Sequence, residues 1–331
     1  MNHKRIVIIM ITVVLMSLLL LGCTKKSSSP SQTIFDGTTQ LLGISGIDNN
    51  NVWAVGKKGF IAFYNGEKWT GYHKRPTDMC LNGVSALDKN HIWSVGDGEV
   101  IIFFDGSEWT IQRPVSSGRL HDVTALDKSH VWSVGNDGEI LFFDGNSWSE
   151  QDSGVVWNIH GVSAVDENHV WAVGSGGVLF FDGQEWKPQW QSGIPDVFLS
   201  LESVSAVGVN QVWVCGTVGY YPTILFYDGE EWKEQYSSSK PIVPFTTEGN
   251  PESTGLIRSI CATDKNHAYA ISYDSFLSFD GTKWKSEIMD GKVLQCISIV
   301  KDKIWTVGYV IGEISYISGV TIFKGMAEFY D

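Results

Sequence analysis

The sequence predicts an all-β fold: a seven-bladed β-propeller with four antiparallel strands per blade. Three observations predict it. One unit recurs about seven times along the chain, which outranks any single motif. Each unit holds four short β-type runs parted by turn signals. Both faces of those runs are largely apolar, as sheets covered on two sides require, whereas an open sandwich with one wet face alternates more cleanly.

The unit is clearest as GVSALDKNHIWSVG at 83–96 followed by IIFFDGSEWT at 101–110. Its first tryptophan recurs as Trp53, Trp93, Trp132, Trp171 and Trp213, then Tyr269, then Trp305, at intervals of 40, 39, 39, 42, 56 and 36 residues. The second recurs in an (F/Y)(D/N)GxxW phrase as Trp69, Trp109, Trp148, Trp186, Trp232 and Trp284. Shared among seven units, residues 34–331 come to about 43 each, the length of a four-stranded blade.

Within a unit the runs are strand a (VSAL), b (VWSVG), c (IIFF) and d (EWTIQ). Between a and b stands Asp-x-Asn/Ser-His, whose Asp and Asn side chains favour turns by bonding nearby backbone. Between c and d stands Asp-Gly, suited to the positive-φ position of a tight hairpin. The last unit is the least regular. Either TIFKGMAEFYD at 321–331 or TIFDG at 33–37 could supply the outer strand of the closing blade.

These residues resemble bacterial propeller proteins with WxVGxxG…FDGxxW units, a group rich in surface lipoproteins. More loosely, they are similar to Asp-box and photosystem II assembly factor-like propellers. The resemblance spans nearly all of residues 34–331 and implies architecture rather than activity, because propellers host many unrelated functions.

The N-terminus carries an address. Lys4 and Arg5 precede an uncharged stretch from Ile6 to Leu21, which is short for a spanning helix. Leu20-Leu21-Gly22-Cys23 looks like a bacterial lipobox. The resemblance implies a signal peptide at 1–22, a lipid on Cys23 and a Ser-rich tether over 23–33 ahead of the propeller at 34–331. An uncleaved N-terminal anchor is the alternative, and both place the rest outside the cytoplasm. The lipid-anchored reading expects the extracytoplasmic face of a membrane, either the outer membrane or the cell surface.

Composition narrows the partners. The formal net charge is −13, and loss of Lys4 and Arg5 with the signal takes it to −15. That balance argues against nucleic acid and leaves membrane affinity to the lipid. Four cysteines remain beyond Cys23: Cys80, Cys215, Cys261 and Cys296. They allow three pairings and show no metal spacing. No metal and no cofactor is expected, and the chain reads as a monomer.

Propeller geometry converts the repeat into two faces. The a–b and c–d turns, nearly uniform, lie on the bottom; the variable d→a and b→c connections lie on top. The connection at about 234–257 is long and carries Phe245, and the blade 5 b→c connection offers Tyr220 and Tyr221. Trp157 and Trp190, outside the repeat phrases, lie in d→a connections and either stack a ligand or cap neighbouring blades. Just before strand a, successive blades present Leu42, Asn82, His121, His160, Glu202, Arg258 and Gln295. These should ring the top entrance of the axial channel as a hydrogen-bonding collar of the kind small-ligand sites use.

The expected function is a non-catalytic binding or assembly module for a protein, peptide or glycan, acting through top-face loops. The alternative is an extracytoplasmic glycoside hydrolase or lyase at the channel mouth. His121 and His160 are the best pair for such chemistry, yet no nucleophile accompanies them in the pattern, so no catalytic residue is assigned.

Overall fold

In blade 2, strands a (Leu81–Asp88), b (His91–Gly96), c (Ile101–Phe104) and d (Trp109–Arg113) pair in sequence order, each antiparallel to the next. Five further sheets repeat this order, their innermost strands being Leu41–Asp48, Leu120–Ala125, Ile159–Asp166, Leu199–Gly208 and Ser259–Asp264. The innermost strands of successive sheets contact one another around the axis. The chain is thus an all-β propeller with four-stranded antiparallel blades. A C-terminal sheet follows, in which Lys292–Val300, Lys303–Val310 and Glu313–Phe323 pair in order and Met326–Ala327 pairs with the last of them. Its first strand touches both Ser259–Asp264 and Leu41–Asp48.

This computed structural model describes residues 40–72, 74–113, 118–193, 197–238, 255–289, 292–310, 313–323 and 326–327. The expected signal and tether, Cys23, the TIFDG segment and Phe245 lie outside the described residues. Among those described, no helix is long and apolar enough to cross a membrane.

The two tryptophans of each unit do not pack on each other. The strand b indole of one blade reaches into the next, where at two junctions Trp93 and Trp132 meet Phe143 and Phe181 and at others it meets the strand d indole edge-on. Trp53 meets Trp109 at 5.5 Å between ring centres, Trp171 meets Trp232 at 5.8 Å and Trp213 meets Trp284 at 5.9 Å, all near perpendicular. Trp305 of the C-terminal sheet meets Trp69 of blade 1 in the same way, at 5.8 Å and 82°. Each hydrophobic cluster therefore belongs to a junction between sheets rather than to one sheet. Edge-to-face pairs add about 0.5–1.5 kcal/mol each beyond the area they bury.

A second device joins the innermost strands. Their inner edges carry backbone N–H groups that the sheet cannot satisfy, and an unpaired buried donor is costly. The repeated serine of strand a accepts these bonds from the following blade. Ala86 N–H donates to Ser45 Oγ (3.1 Å), Ala125 to Ser85 (3.0 Å), Ala206 to Ser163 (3.1 Å) and Ala262 to Ser205 (3.1 Å). In blade 3 an aspartate does similar work two residues earlier. The Asp122 carboxylate accepts from Val123 N–H of its own strand (2.8 Å) and Val162 N–H of the next blade (3.0 Å). Enclosure by the sheets raises its pKa to about 6 against these two bonds.

The bottom turns behave as their chemistry dictates. Asp88 accepts from Asn90 N–H at 2.9 Å and lies 2.7 Å from His91 Nδ1, whose ring rests over Phe103. His130, His169 and His267 repeat the aspartate contact. Gly106, in the c–d turn, sits at φ 96°, where a Cβ is unfavourable. Cys80, Cys215, Cys261 and Cys296 are free thiols, and burial raises Cys215 and Cys261 well above the ordinary thiol range.

Ser85→Ala leaves Ala125 N–H without its acceptor and should destabilise the fold by about 1–3 kcal/mol. Ser85→Thr, which restores the hydroxyl and matches Thr124 of the next unit, should be close to neutral. Denaturant unfolding of the three proteins checks this; an alanine variant as stable as the parent contradicts the edge role.

Candidate functional site

The collar residues do not precede strand a as expected. Most lie inside it, each as the extra residue of a β-bulge. Strand a pairs with strand b on either side of Leu42, Asn82, His121, His160, Glu202 and Gln295 while skipping those residues themselves. Arg258 stands one residue ahead of its strand, its N–H bonded to Ile271 O at 2.8 Å. A bulge re-aims one side chain without breaking the sheet, so the same rung of successive blades is displaced in the same way. The motif glycine permits it. A Cβ at Gly96, the last residue of WSVG, would collide with the Cys80 carbonyl oxygen brought close by the bulge.

Four collar residues on consecutive blades form a connected polar arc. Asn82 Nδ2 donates to Asp97 Oδ1 at 3.0 Å and to Leu120 O of the next blade at 2.8 Å. Asp97 also receives Arg119, with Nε at 2.6 Å and Nη2 at 3.2 Å. Burial opposes ionisation of Asp97, but the bonds from Arg119 and Asn82 prevail and hold its pKa below the usual carboxylate value. His121 Nε2 lies 2.7 Å from Asn136 Oδ1. Its ring stands 5.4 Å from that of His160 at 83°. Burial, with a smaller push from His160, lowers the His121 pKa. His160 Nδ1 donates to Leu201 O of the following blade at 2.9 Å and lies 3.9 Å from Glu202 Oε1, which Ser200 Oγ also reaches at 2.6 Å. Asn82 and His160 thus stitch blades together. Arg258 and Gln295 are half-buried, and Arg258 Nε is buried without a hydrogen-bond partner among the described residues.

Asn136 belongs also to a cleft of about 550 Å³ on the same face. Its walls come from the b→c connections of blades 2 and 3 and the d→a connections on either side of blade 3. Glu99, Asp137, Glu139, Glu150 and Asp152 line it. Arg113 Nη2 bridges Glu99 at 2.8 Å and Glu139 at 3.3 Å. Desolvation first, then repulsion from Glu99, raises the Glu139 pKa to about 7 despite that arginine. A concave surface so charged favours cationic groups.

The aromatic candidates divide. Trp157 and Trp190 are half-buried and pack against the apolar clusters at the two junctions of blade 4, Trp157 lying across Gly174 and Gly176. Trp190 is not in a connection as expected but ends strand d, paired with Val178. Tyr220 and Tyr221 are exposed, at 55% and 42%. Tyr220 occupies φ 70° in the turn and lies parallel to Phe198 with ring centres 5.0 Å apart. Non-glycine residues in that region cost of order 1 kcal/mol or more, a strain that clusters at functional sites.

Phe198, Asn136, Asp97 and the Glu99–Arg113–Glu139 bridge escaped the sequence reading. A signal existed for the last three. Asp97 and Asn136 follow the WSVG glycine directly, and Asp-Gly-Glu recurs in that connection at 97–99 and 137–139. Among the described residues, no group of three or more His, Cys, Asp or Glu could hold a metal ion.

No protein-family model matches the chain, and no curated protein matches it in sequence. Solved structures do match. YCF48 bound to D1 peptide is 17% identical, with a TM-score of 0.65 over 89% of this chain and 96% of that one. YCF48 from Cyanidioschyzon merolae is 16% identical, with 0.62 over 87% and 98%. The WD40 β-propeller domain of Doa1 is 10% identical, with 0.67 over 88% and 97%. At such identities the likeness establishes the β-propeller fold.

Glu139 makes the fold pH-sensitive. Its pKa rises from 4.5 to about 7 on folding, so the native state holds the proton more tightly than the unfolded chain. Stability therefore falls as pH rises through that window. Glu139→Gln should remove this loss, on the order of 2 kcal/mol once solvent screening is allowed for. Unfolding curves at pH 5 and pH 8 for both proteins check it; parallel pH profiles contradict it.

Proposed function

We propose that this chain is a lipid-tethered, extracytoplasmic, seven-bladed propeller that binds a protein or peptide partner on its top face without catalysing a reaction. One observation carries the reading. A bulge at the same rung of successive blades turns Asn82, His121, His160 and Glu202 to the channel mouth, where Asn136 joins them to an acidic cleft. The opposite face offers only repeated turns. Phe198 and Tyr220 add an exposed aromatic surface, suited to a partner that is partly apolar. The carboxylates of the cleft favour a partner segment bearing lysine or arginine.

Further support comes from four directions. The contact of Trp305 with Trp69 supports closure of the ring by the C-terminal sheet as a seventh blade. The YCF48 propeller bound to D1 peptide supports a peptide or protein ligand over a glycan. The lipobox-like segment ending in Cys23 supports tethering by acyl chains. The imidazoles of His121 and His160 hydrogen-bond to Asn136 and Leu201 rather than to a serine, threonine or cysteine nucleophile, which supports a binding role.

Fractionation and capture from intact cells, run on three chains, test this. The parent should sediment with membranes and retain a partner protein. Cys23→Ser should leave the membrane fraction yet retain the partner. A chain with Glu99, Glu139 and Tyr220 changed to Gln, Gln and Ser should stay on the membrane and lose the partner. Partner capture indifferent to the top-face changes refutes the assignment of that face, and a membrane-bound Cys23→Ser chain refutes the lipid anchor.

A further inference from the structure

We propose that His121 and His160 form a two-imidazole site for a divalent late first-row cation, Zn(II) being the reference ion, at the top mouth of the channel. The inference starts from where their protons are. His160 Nδ1 faces the Leu201 carbonyl oxygen at 2.9 Å, an atom that can only accept. The ring proton therefore sits on Nδ1, and the Nε2 lone pair is left unengaged by that bond. His121 Nε2 faces Asn136 Oδ1 at 2.7 Å, with the amide oriented by this contact. With the amide oxygen facing the ring, a proton on Nε2 completes this contact and leaves the lone pair on Nδ1. Metal-ligating histidines are held in this way, the far N–H donating to a carbonyl or carboxyl group that fixes tautomer and ring orientation.

The spacing of the rings fits as well. Two imidazoles sharing a tetrahedral zinc at about 2.0–2.1 Å per nitrogen place their ring centres roughly 5 Å apart. Here they are 5.4 Å apart and nearly perpendicular. Both side chains occupy the bulged position of neighbouring innermost strands, so the backbone rather than a loop sets their separation. Glu202 lies on the Nδ1 side of His160, at 3.9 Å, and so orients the ring instead of competing for the cation.

No third His, Cys, Asp or Glu joins the pair among the described residues. Two ligands fixed on strands leave the remaining positions of the ion open to water or to donor atoms of a partner. Imidazole suits Zn(II), Cu(II) and Ni(II), so the class of ion follows from the ligand type.

The full chain, purified in detergent and titrated with Zn(II) by calorimetry, tests this. One equivalent should bind and be lost or weakened at least 10-fold in His121→Gln and in His160→Gln, each shown folded by circular dichroism. Asn136→Ala should weaken it by about 10–100-fold through loss of the orienting bond. His91→Gln, on the bottom face, should change nothing. Independently of any substitution, one equivalent of Cu(II) on the parent should give an electron paramagnetic resonance spectrum with two imidazole nitrogens. Unaltered Zn(II) affinity in the His121 and His160 variants, absence of saturable binding, or a Cu(II) spectrum with fewer than two nitrogens overturns the site.

Discussion

The structure depends on the strand b indole of one blade packing into the next, edge-on against a strand d indole at several junctions and against a phenylalanine at others. A single four-stranded sheet with two apolar faces cannot be stable in water, since it must cover both. Spreading the tryptophans of each unit over two junctions forces every blade to have a neighbour on each side. Serine hydroxyls of strand a then satisfy the inner edge of the following blade, which removes the template for edge-to-edge pairing that an open sheet presents. Side-chain packing and edge satisfaction thus impose the same arrangement, radial stacking around an axis.

That stacking explains why sequence variation collects at one end. The bottom turns hold themselves through Asp, Asn and His contacts that repeat from blade to blade, leaving little to vary. At the top, the bulge in strand a frees one side chain in most blades from the ladder, which continues on either side. The residues used there differ from blade to blade, and some serve two purposes. Asn82 and His160 tie neighbouring strands through backbone carbonyls and also border the opening. The arc is consequently rigid, held by the framework rather than by loops, and rigid polar groups bind with less ordering cost than mobile ones.

Most of the architecture was legible from the repeat. Trp93 and Trp109 recurring at near-constant spacing, with Asp-Gly between strands c and d, identify the blade and its turns, because each depends on local chemistry. The collar was legible as a register position but its cause was not. The bulge arises from close approach of two strands, and only the glycine ending WSVG hints at it. Trp157 and Trp190 look alike in sequence as unassigned indoles; their half-buried packing at blade junctions follows from contacts with residues a whole unit away. Phe198 lay hidden for the same reason, since its stacking on Tyr220 joins two connections. The Glu99–Arg113–Glu139 bridge likewise links three separate segments, whose mutual distance no spacing rule encodes.

The account stands or falls on whether the indole contact closes the ring between the two ends of the chain. A double-mutant cycle on Trp305 and Trp69, each changed to Leu singly and together, measures that contact by equilibrium unfolding. Closure predicts a coupling energy of about 0.5–1.5 kcal/mol, equal to that of Trp53 with Trp109 in the same background. Additive losses at Trp305 and Trp69, beside clear coupling at Trp53 and Trp109, would show that the ends do not meet.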